Sequence, residues 1–390
     1  MRIEIHAIQN HSPANLNRDD LGAPKTCYFG GVIRTRISSQ CIKRSIRLSE
    51  EFREVGGAVR TRRLAELIAG GLERGSVDPK LCARAETVLA ECGFASKTKD
   101  GGPTNMLVYT SKEGIRDLAR VLKEAKGSDS DLARRFAEVL AEKVSVPDIA
   151  LSGRMLEPVK DSDAAKQAWK GLDTTVEAAL QVAHAISTHE ARPEIDYYVA
   201  ADDIPGADAG AGYIDEAQFA SACFYKYFSI DWEQLVTNLK GDRSLASDVI
   251  ARFVRAAVLT NPTGKQNSFA AHNPPAGVLV EIRTTPLSHA NAFAEPISSG
   301  ERSVISQSIA QLAQHINDMD VGYGTPKARI WFSPNRRYPL QVVEKNKIRE
   351  LVPDGCFVSS LDELVKAVTN LGAPILLNEG SFRSSSKAAT

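Results

Sequence analysis

The chain has 390 residues, of which 43% are hydrophobic and 25% are charged, and its 48 basic side chains balance its 48 acidic ones. This length allows a large buried core and exceeds an ordinary single domain, so we expect two lobes or a domain with insertions. The chain shows no membrane-spanning run and no signal peptide, so we expect a cytoplasmic protein. Its neutral net charge counts mildly against a generic nucleic-acid-binding domain, which is usually basic overall.

The first predicted elements are a strand and a long loop. Alternating apolar residues predict a strand over residues 2 to 9. Ser-Pro, Asn-x-Asn and Asp-Asp pairs then predict a loop over residues 11 to 25 that carries Arg18 and Lys25.

A strand that runs directly into a helix follows. Alternation over residues 32 to 37 places Arg34 and Arg36 on one face of the strand, and Ser38 or Ser39 is suited to cap the helix. At helical spacing, polar and basic residues fall on one stripe of the helix. The opposite face is expected to be buried and consists of Cys41, Ile42, Ser45, Ile46, Leu48, Ser49 and Phe52. The members of the stripe are Gln40, Lys43, Arg44 and Arg47.

The charge of this stretch is one-sided. No carboxylate occurs between Leu21 and Ser49, whereas six basic residues do. A helix start carries partial positive charge and normally recruits acidic residues, so cations there suggest an external anion, with phosphate the obvious candidate. The alternative is a solvated basic face that pairs with carboxylates from elsewhere in the chain. Spacing alone does not separate these two interpretations.

The next part of the chain is predicted to be largely helical. Apolar residues recur at helical spacing between residues 58 and 145, which indicates a helical insertion. Residues 147 to 158 read as irregular, and a further helix is predicted from Trp169 to Ser187. The acidic, turn-rich stretch from residue 190 to 216 contains a short aromatic strand, Ile195 to Val199, and favours a protruding hairpin. A solvated surface loop is the alternative.

The C-terminal part alternates helices and strands. Helices are predicted at residues 232–239, 244–259, 304–316 and 361–371, and strands at 278–283 and 329–333. A polar loop over residues 261 to 275 carries Lys265 and Gln266, and a Ser/Lys/Ala tail from residue 381 is expected to be disordered. Strands and helices mixed in this way predict an α+β fold.

Catalytic and metal-binding motifs are weak. His184 and His189 are five residues apart, which a helix does not place on one face, and Gly264-Lys265 lacks the remainder of a phosphate loop. The six scattered cysteines are expected to be buried, reduced thiols. We therefore predict a non-enzyme without metal or cofactor. A metal-independent RNA-cutting site using His11, His189 or His289 with a lysine stays open as the alternative, since such sites leave little sequence trace.

An ordered set of motifs runs through most of the chain. Its N-terminal part comprises His11 to Asp20, Phe29-Gly30-Gly31, Arg36 to Gln40, and Lys43-Arg44. Further motifs follow at Ala183 to His189, Ile195 to Tyr198, Asp202-Asp203, Gly264 to Gln266, Phe269 to Pro274 and Pro286 to Phe293. In this order, the motifs resemble the CasC family, the guide-RNA-binding backbone subunits of the subtype I-E CRISPR Cascade complex.

The resemblance implies a hand-shaped subunit. Its palm is like an RNA-recognition motif (ferredoxin-like), with a large helical insertion as fingers and a protruding β-hairpin as thumb. Copies stack into a filament along the guide (crRNA), together with other Cascade subunits and an associated effector nuclease, while the guide bases pair with target DNA. The implied boundaries are palm 1–57, fingers 58–145, return to the palm 146–189, thumb 190–225, palm 226–380 and tail 381–390.

The resemblance also assigns roles to individual residues. Those that match guide-backbone contacts are Arg18, Lys25, Ser38, Gln40, Lys43, Arg47, Lys265 and Gln266. Arg34, Arg36, Ser39 and Arg44 complete the predicted RNA-binding surface. Met155 matches a residue that packs on a displaced nucleotide, and Tyr197, Tyr198 and Val199 match the thumb wedge, although half-buried strand packing would also explain these tyrosines. The chain departs from the usual pattern at Cys41 and Ile42 and in the Gly/Ala-rich thumb tip.

Overall fold

The structure is a computed structural model of the chain. It describes residues 1–72, 77–95, 102–124, 127–200, 213–298 and 303–377. The strands are β1 (Arg2–Ala14), β2 (Thr26–Phe29), β3 (Val32–Ile37), β4 (Ala58–Thr61), β5 (Val108–Ser111), β6 (Arg154–Met155), β7 (Thr175–Val176), β8 (Leu180–Val182), β9 (Ala185–Ser187), β10 (Glu194–Ala200), β11 (Tyr213–Asp231), β12 (Gly277–Arg283), β13 (Ala328–Phe332), β14 (Gln341–Glu344), β15 (Lys347–Glu350) and β16 (Phe357–Val358). The helices are α1 (Ser39–Arg47), α2 (Glu50–Arg53), α3 (Leu64–Gly70), α4 (Pro79–Glu91), α5 (Lys112–Glu124), α6 (Asp129–Glu142), α7 (Pro147–Ser152), α8 (Asp163–Ala168), α9 (Trp232–Asn238), α10 (Arg243–Leu259), α11 (Gln266–Phe269), α12 (Val304–Tyr323) and α13 (Leu361–Leu377), with short 3-10 helices at Ala290–Phe293 and Pro334–Arg336.

The chain forms two compact units. Unit 1 comprises Met1–Ser49, Val182–Ser229 and Ile250–Thr390, and unit 2 comprises Glu50–Gln181 and Ile230–Val249. Helices and a large mixed sheet together confirm the predicted α+β class. The finer assignment to an RNA-recognition-motif-like palm with fingers and thumb stays a prediction.

Unit 1 is built on the large sheet. Its strand order is β16-β13-β12-β1-β11-β9-β3-β2, and β10 adds to β11 as an antiparallel ladder. Ladders between β1 and β12 and between β12 and β13 are antiparallel, and β13 pairs with β16 in parallel. Apolar side chains of α12, such as Leu312 and Ile316, pack with Leu279 and Trp331 of the sheet, so the helix covers one sheet face.

Unit 2 has its own core. The helical spacing between residues 58 and 145 correctly predicted α3, α4, α5 and α6, whose apolar residues form one buried cluster with Trp169. The Trp169 indole Nε1 donates to the Cys92 carbonyl at 2.8 Å. A short β4–β5 ladder joins Ala58–Thr61 to Val108–Ser111. The prediction of helices over residues 58 to 145 did not include these two strands.

Three local predictions were wrong. The helix expected from Trp169 to Ser187 is absent from these described residues, because Gly171 has a φ of 73° and β7, β8 and β9 follow. Strand β9 pairs with β3 on one side and with β11 on the other, and this pairing overrides the apolar spacing that had predicted a helix.

Residues 147 to 152, expected to be irregular, form α7 with a proline in its first turn. The loop expected from residue 11 begins only after Ala14, where β1 ends.

Within the residues that the structure describes, no helix combines the length and apolarity needed to cross a bilayer. All six cysteines are free thiols, as the scattered spacing predicted, but only Cys92 and Cys223 are buried and the other four are half-buried.

Candidate nucleic-acid interface

The predicted strand-to-helix corner is present in unit 1. The Gly30-Gly31 pair, with φ values of 61° and 83°, turns β2 into β3, and Phe29 pairs with Val32 across the turn. Strand β3 ends at Ile37, and Ser38 caps α1 with its side chain accepting the Cys41 N–H at 3.3 Å. The predicted cap is therefore confirmed at Ser38.

The charge of α1 is unusual at its start. Its first turn contains no acidic residue, whereas Arg44 and Arg47 lie in its last turn, where they complement the helix dipole. Ile42 and Ile46 are buried, Gln40 and Arg44 are exposed, and Lys43 and Arg47 are half-buried. Leu48, expected on the buried face, is exposed instead, because it lies at the C-terminal cap, where the helical face no longer faces the core.

The basic stripe is not neutralised by the protein. Among the described residues, no carboxylate lies within 4.0 Å of Lys43, Arg44 or Arg47. The same holds for Lys25 and Arg18 in the preceding loop. The alternative of a basic face paired with carboxylates from elsewhere is therefore not what the described residues show, and the stripe keeps its capacity for an external anion.

The preceding loop is tied to the helix start by Asn17. Its side-chain Oδ1 accepts the Ser38 N–H at 2.8 Å, and its backbone carbonyl accepts the Lys25 N–H at 2.9 Å. The Lys25 carbonyl in turn accepts the Arg36 N–H at 2.8 Å. Sequence reasoning did not assign a role to Asn17, although the Asn-x-Asn pattern was the available signal.

A cavity of about 550 Å³ opens beside α1. Arg18 and Arg44 line it together with Asp19, Asp20 and Cys41, so its charge is mixed. The loop at Thr263 and Gly264 closes another wall. A Cβ at Gly264 would lie 2.5 Å from the Leu16 carbonyl oxygen, so only glycine permits this close approach of the two loops.

Two predicted contact residues of β3 have different surroundings. Arg34 is 0% exposed, and its guanidinium donates to the carbonyls of Phe29, Ser187 and Phe293 at 3.1, 3.1 and 2.7 Å. Burial lowers its pKa. The expected role of Arg34 in binding RNA is corrected here, since its hydrogen bonds hold β3 to the adjacent elements and no surface remains for a ligand.

Arg36 is only half-buried. It donates from Nε to the Thr26 carbonyl at 2.8 Å and from Nη1 to His184 Nδ1 at 3.0 Å. Burial and the Arg36 charge lower the pKa of His184, so this histidine accepts as a neutral ring. Arg36 therefore remains at the edge of the candidate surface.

The second predicted contact loop is partly turned inward. Lys265 has a φ of 47° at the start of the short α11, and no described residue bonds to its ammonium. The Gln266 amide Nε2 donates to the Pro262 carbonyl at 3.0 Å.

The two serines predicted to contact RNA are also mostly buried. Ser38 is the N-cap of α1, and Ser39 is its first residue.

The remaining predicted contacts lie elsewhere. Met155, at the end of β6, belongs to unit 2 and is 71% exposed. Tyr197, Tyr198 and Val199 lie on β10 and are exposed, and the Tyr198 hydroxyl donates to Asp215 Oδ2 at 3.0 Å. Residues 201–212, which include the Asp202-Asp203 motif and the Gly/Ala-rich thumb tip from Pro205 to Gly212, lie outside the described residues, as does the tail from 381.

The three histidines named for RNA cleavage are either buried or hydrogen-bonded to the backbone. His11 is buried edge-on to Phe224, and burial with the Lys226 charge lowers its pKa to about 3. His189 accepts the Cys223 N–H at Nε2, at 3.2 Å, and its Nδ1 lies 2.8 Å from the Glu190 carbonyl. His289 is fully buried. None of the three is placed as an accessible general base.

One buried group could in principle hold a metal. His6, Glu281 and His289 bring potential ligand atoms within 4.8 Å of one another. Both Glu281 oxygens, however, accept from arginines: Arg283 Nε at 2.6 Å and Arg329 Nε at 2.7 Å. Two guanidinium charges beside the carboxylate oppose a dication, so the residues do not fit a metal centre.

Lys226 is a second residue that sequence reasoning missed. It lies inside β11 between Phe224 and Phe228, and its side chain is 2% exposed. The only available signal was a lysine within an aromatic strand pattern, Phe-Tyr-Lys-Tyr-Phe.

The fold and the site define an α+β protein that presents a basic helix start, free of internal ion pairs among the described residues, beside two glycine-containing loops. A family model described as CT1975-like protein (Cas_CT1975) matches residues 3–365. The chain belongs to this CT1975-like family.

Solved structures extend the comparison. The chain is similar to one from a "CRISPR RNA-guided surveillance complex, pre-nicking", with 30% identity, a TM-score of 0.78, and 95% of this chain and 100% of that chain covered. A second similar chain comes from a "CRISPR RNA-guided surveillance complex". It is 24% identical, with a TM-score of 0.59, and the match covers 95% of this chain and 100% of that chain. This likeness supports the fold. A search of curated proteins finds no significant match.

Proposed function

We propose that this protein is a non-enzymatic guide-RNA-binding subunit of a Cascade-type CRISPR surveillance complex. The family membership and the likeness to subunits of RNA-guided complexes support this role. The observation that carries it is the ion-pair-free basic stripe of α1 among the described residues, since such cations can grip phosphates of any sequence.

The finer proposal follows the subtype I-E backbone subunit. Copies of the chain would assemble along the crRNA in the cytoplasm, through an interface that does not close into a ring. The exposed tyrosines of β10 would displace nucleotides at regular intervals, and the segments between them would pair with target DNA. Other Cascade subunits and a recruited nuclease would complete the complex.

Repeat-RNA cleavage is the alternative that an experiment must exclude. The buried or backbone-bonded positions of His11, His189 and His289 do not favour it. The purified protein is incubated with labelled repeat RNA and with spacer RNAs of unrelated sequence. A scaffold retains all of them uncut and binds in more copies as the RNA lengthens. Specific cleavage of the repeat, or retention of one sequence only, would contradict the proposal.

A further inference from the structure

The guanidinium of Arg36 is held in one orientation by the protein itself. Its Nε donates to the Thr26 carbonyl of β2 at 2.8 Å, and its Nη1 donates to His184 Nδ1 at 3.0 Å. An arginine that is already fixed in one geometry gives up little side-chain freedom when it binds a ligand. Arg36, at the end of β3, is therefore pre-organised in the free protein.

The rest of this guanidinium has no acceptor in the protein. An arginine side chain carries five N–H donors, and these two hydrogen bonds use only one on Nε and one on Nη1. No described residue accepts from Nη2, and no described carboxylate lies within 4.0 Å of Arg36. The remaining donors and the positive charge are therefore available to an external anion.

His184 reaches Arg36 because of the strand register. Arg36 pairs with Ile186 of β9, and His184 precedes Ile186 by two positions, directly before that strand begins. Residues two positions apart along a strand share a face, so His184 and Arg36 are diagonal neighbours on one face of the sheet. The His184 side chain is exposed, so this contact lies at the protein surface.

Lys25 adds another basic side chain beside this pair. The Arg36 N–H donates to the Lys25 carbonyl at 2.8 Å, which places Lys25 next to Arg36 at the start of β2. Burial and the charges of Arg36 and Lys25 lower the pKa of His184, so the imidazole is neutral at about pH 7. The histidine therefore stands beside two cations and adds no charge of its own.

The kind of acceptor decides what Arg36 can bind. A carboxylate in place of His184 would also orient the guanidinium, but it would cancel the positive charge and repel a phosphate. A neutral imidazole accepts the hydrogen bond at Nδ1 and leaves the charge in place. A histidine at this position therefore fits a cation that is held ready for an anion.

We propose that His184 is a positioning residue of the RNA interface, which orients Arg36 so that its unoccupied Nη2 binds a backbone phosphate of the guide. This inference rests on the proposed function and deepens it, because it adds a residue that lies outside the basic stripe of α1. His184 acts through Arg36 and stays neutral when RNA binds. Lys25 is the neighbouring cation for the same stretch of backbone.

The test is a double-mutant cycle on RNA affinity. It compares wild type with His184→Ala, with Arg36→Met and with the variant that carries both substitutions. His184→Asn is the conservative variant, because the asparagine Oδ1 can replace Nδ1 as an acceptor. Gln314→Ala is the matched control, since Gln314 is exposed on α12 and also makes one hydrogen bond to a charged side chain, Asp318, at 3.0 Å. The probe is an oligouridine RNA, whose bases do not pair with one another.

We expect His184→Ala to bind this RNA about fivefold more weakly than wild type, and Arg36→Met about tenfold more weakly. In the Arg36→Met background, His184→Ala should change the affinity by less than about 1.5-fold, because no guanidinium remains to be oriented. His184→Asn and Gln314→Ala should bind within about twofold of wild type. The melting temperature of His184→Ala should stay within about 2 °C of wild type, which a structural role would not allow.

Proton uptake separates positioning from a direct contact of His184 with phosphate. Calorimetry at about pH 6.5, in buffers of different ionisation enthalpy, should give the same proton uptake on RNA binding for wild type and His184→Asn. A larger uptake in wild type would overturn the inference, because a protonated Nδ1 cannot accept from Arg36.

The affinities also separate this inference from the proposed function. Equal binding by wild type and His184→Ala, or additive effects of the two substitutions, would overturn the positioning role while the proposed function stands. The same holds if His184→Asn binds as weakly as His184→Ala. Failure of wild type to bind RNA at all would overturn the proposed function itself.

Discussion

Asn17 and Ser38 join the N-terminal loop to the start of α1, since the Asn17 side-chain oxygen accepts the Ser38 N–H at 2.8 Å. Ser38 is the residue that caps this helix. A single amide therefore positions the helix start relative to the loop that carries Arg18 and Lys25.

Replacing Asn17 by alanine should disturb binding more than folding. Loss of one hydrogen bond should lower the free energy of unfolding by about 1 kcal/mol. RNA affinity should fall further than this, because the helix start and the loop cations lose their common anchor. Denaturant unfolding and RNA titration measure the two effects, and the exposed Asn370→Ala serves as control. Unchanged RNA affinity in Asn17→Ala would refute the positioning role.

Lys43→Ala should weaken RNA binding evenly across sequences. A lysine that binds phosphate does not read bases, so the logarithmic salt slope should fall by about 0.7 for each phosphate that is no longer bound. Titrations of several unrelated RNAs over a salt series provide the measurement. The exposed Lys347 of β15, replaced by alanine, is the matched control. Weaker binding of one sequence only would contradict a backbone contact.

Substitution of Arg34 should lower the stability of the protein, whereas substitution of Arg47 should weaken RNA binding. Arg34→Met leaves several buried carbonyls unpaired and should lower the free energy of unfolding by about 3 kcal/mol. Arg47→Met removes a charge without an ion-pair partner among the described residues, so it should change stability by no more than about 0.5 kcal/mol while weakening RNA binding. Chemical denaturation and RNA titration of both variants check this; the reverse pattern would show that their roles are exchanged.

Lys226 should make the stability of the free protein depend on pH. Its pKa of about 8 in the folded state lies below its ordinary value of 10.5, so the charged form opposes folding. The cost is at most about 3 kcal/mol and is fully present below about pH 8. It is lost as pH rises from about 8 toward the unfolded pKa. Wild type should therefore be less stable than Lys226→Met at neutral pH and approach it above about pH 10.

Melting curves of the two proteins over this pH range, without RNA, measure the effect. A constant difference between them at every pH would mean that Lys226 does not titrate in the folded state.

Tyr197→Ala should reduce RNA affinity without changing stability. The side chain is 69% exposed, so its loss removes little packing, whereas stacking on a base contributes about 1–3 kcal/mol. Tyr197→Phe keeps the ring and should behave as wild type. Tyr323→Ala, at a tyrosine that is 76% exposed on α12, is the matched control for a general effect of losing surface tyrosine. Equal affinities of Tyr197→Ala and Tyr323→Ala would count against a nucleotide contact on β10.

Local sequence signals predicted local structure well. The Ser38 cap and the helices α3 to α6 follow from contacts within a few residues, and they were recognised from hydroxyl placement and apolar spacing. The helix expected from Trp169 to Ser187 failed for the opposite reason. Ile186 pairs with Arg36 on one side and with Tyr225 on the other, and neither partner is near it in sequence.

The sequence by itself determined the basic, carboxylate-free stretch around α1 and its expected affinity for phosphate, because charge composition and helix capping are local properties. Only the tertiary structure decided which cations are available. It buried Arg34 among backbone carbonyls and left Lys43 and Arg47 without an ion pair among the described residues. Burial and pairing depend on residues more than 150 positions apart along the chain, such as Arg34 and Ser187, whose carbonyl it binds across 153 positions, and spacing within one segment carries no information about them.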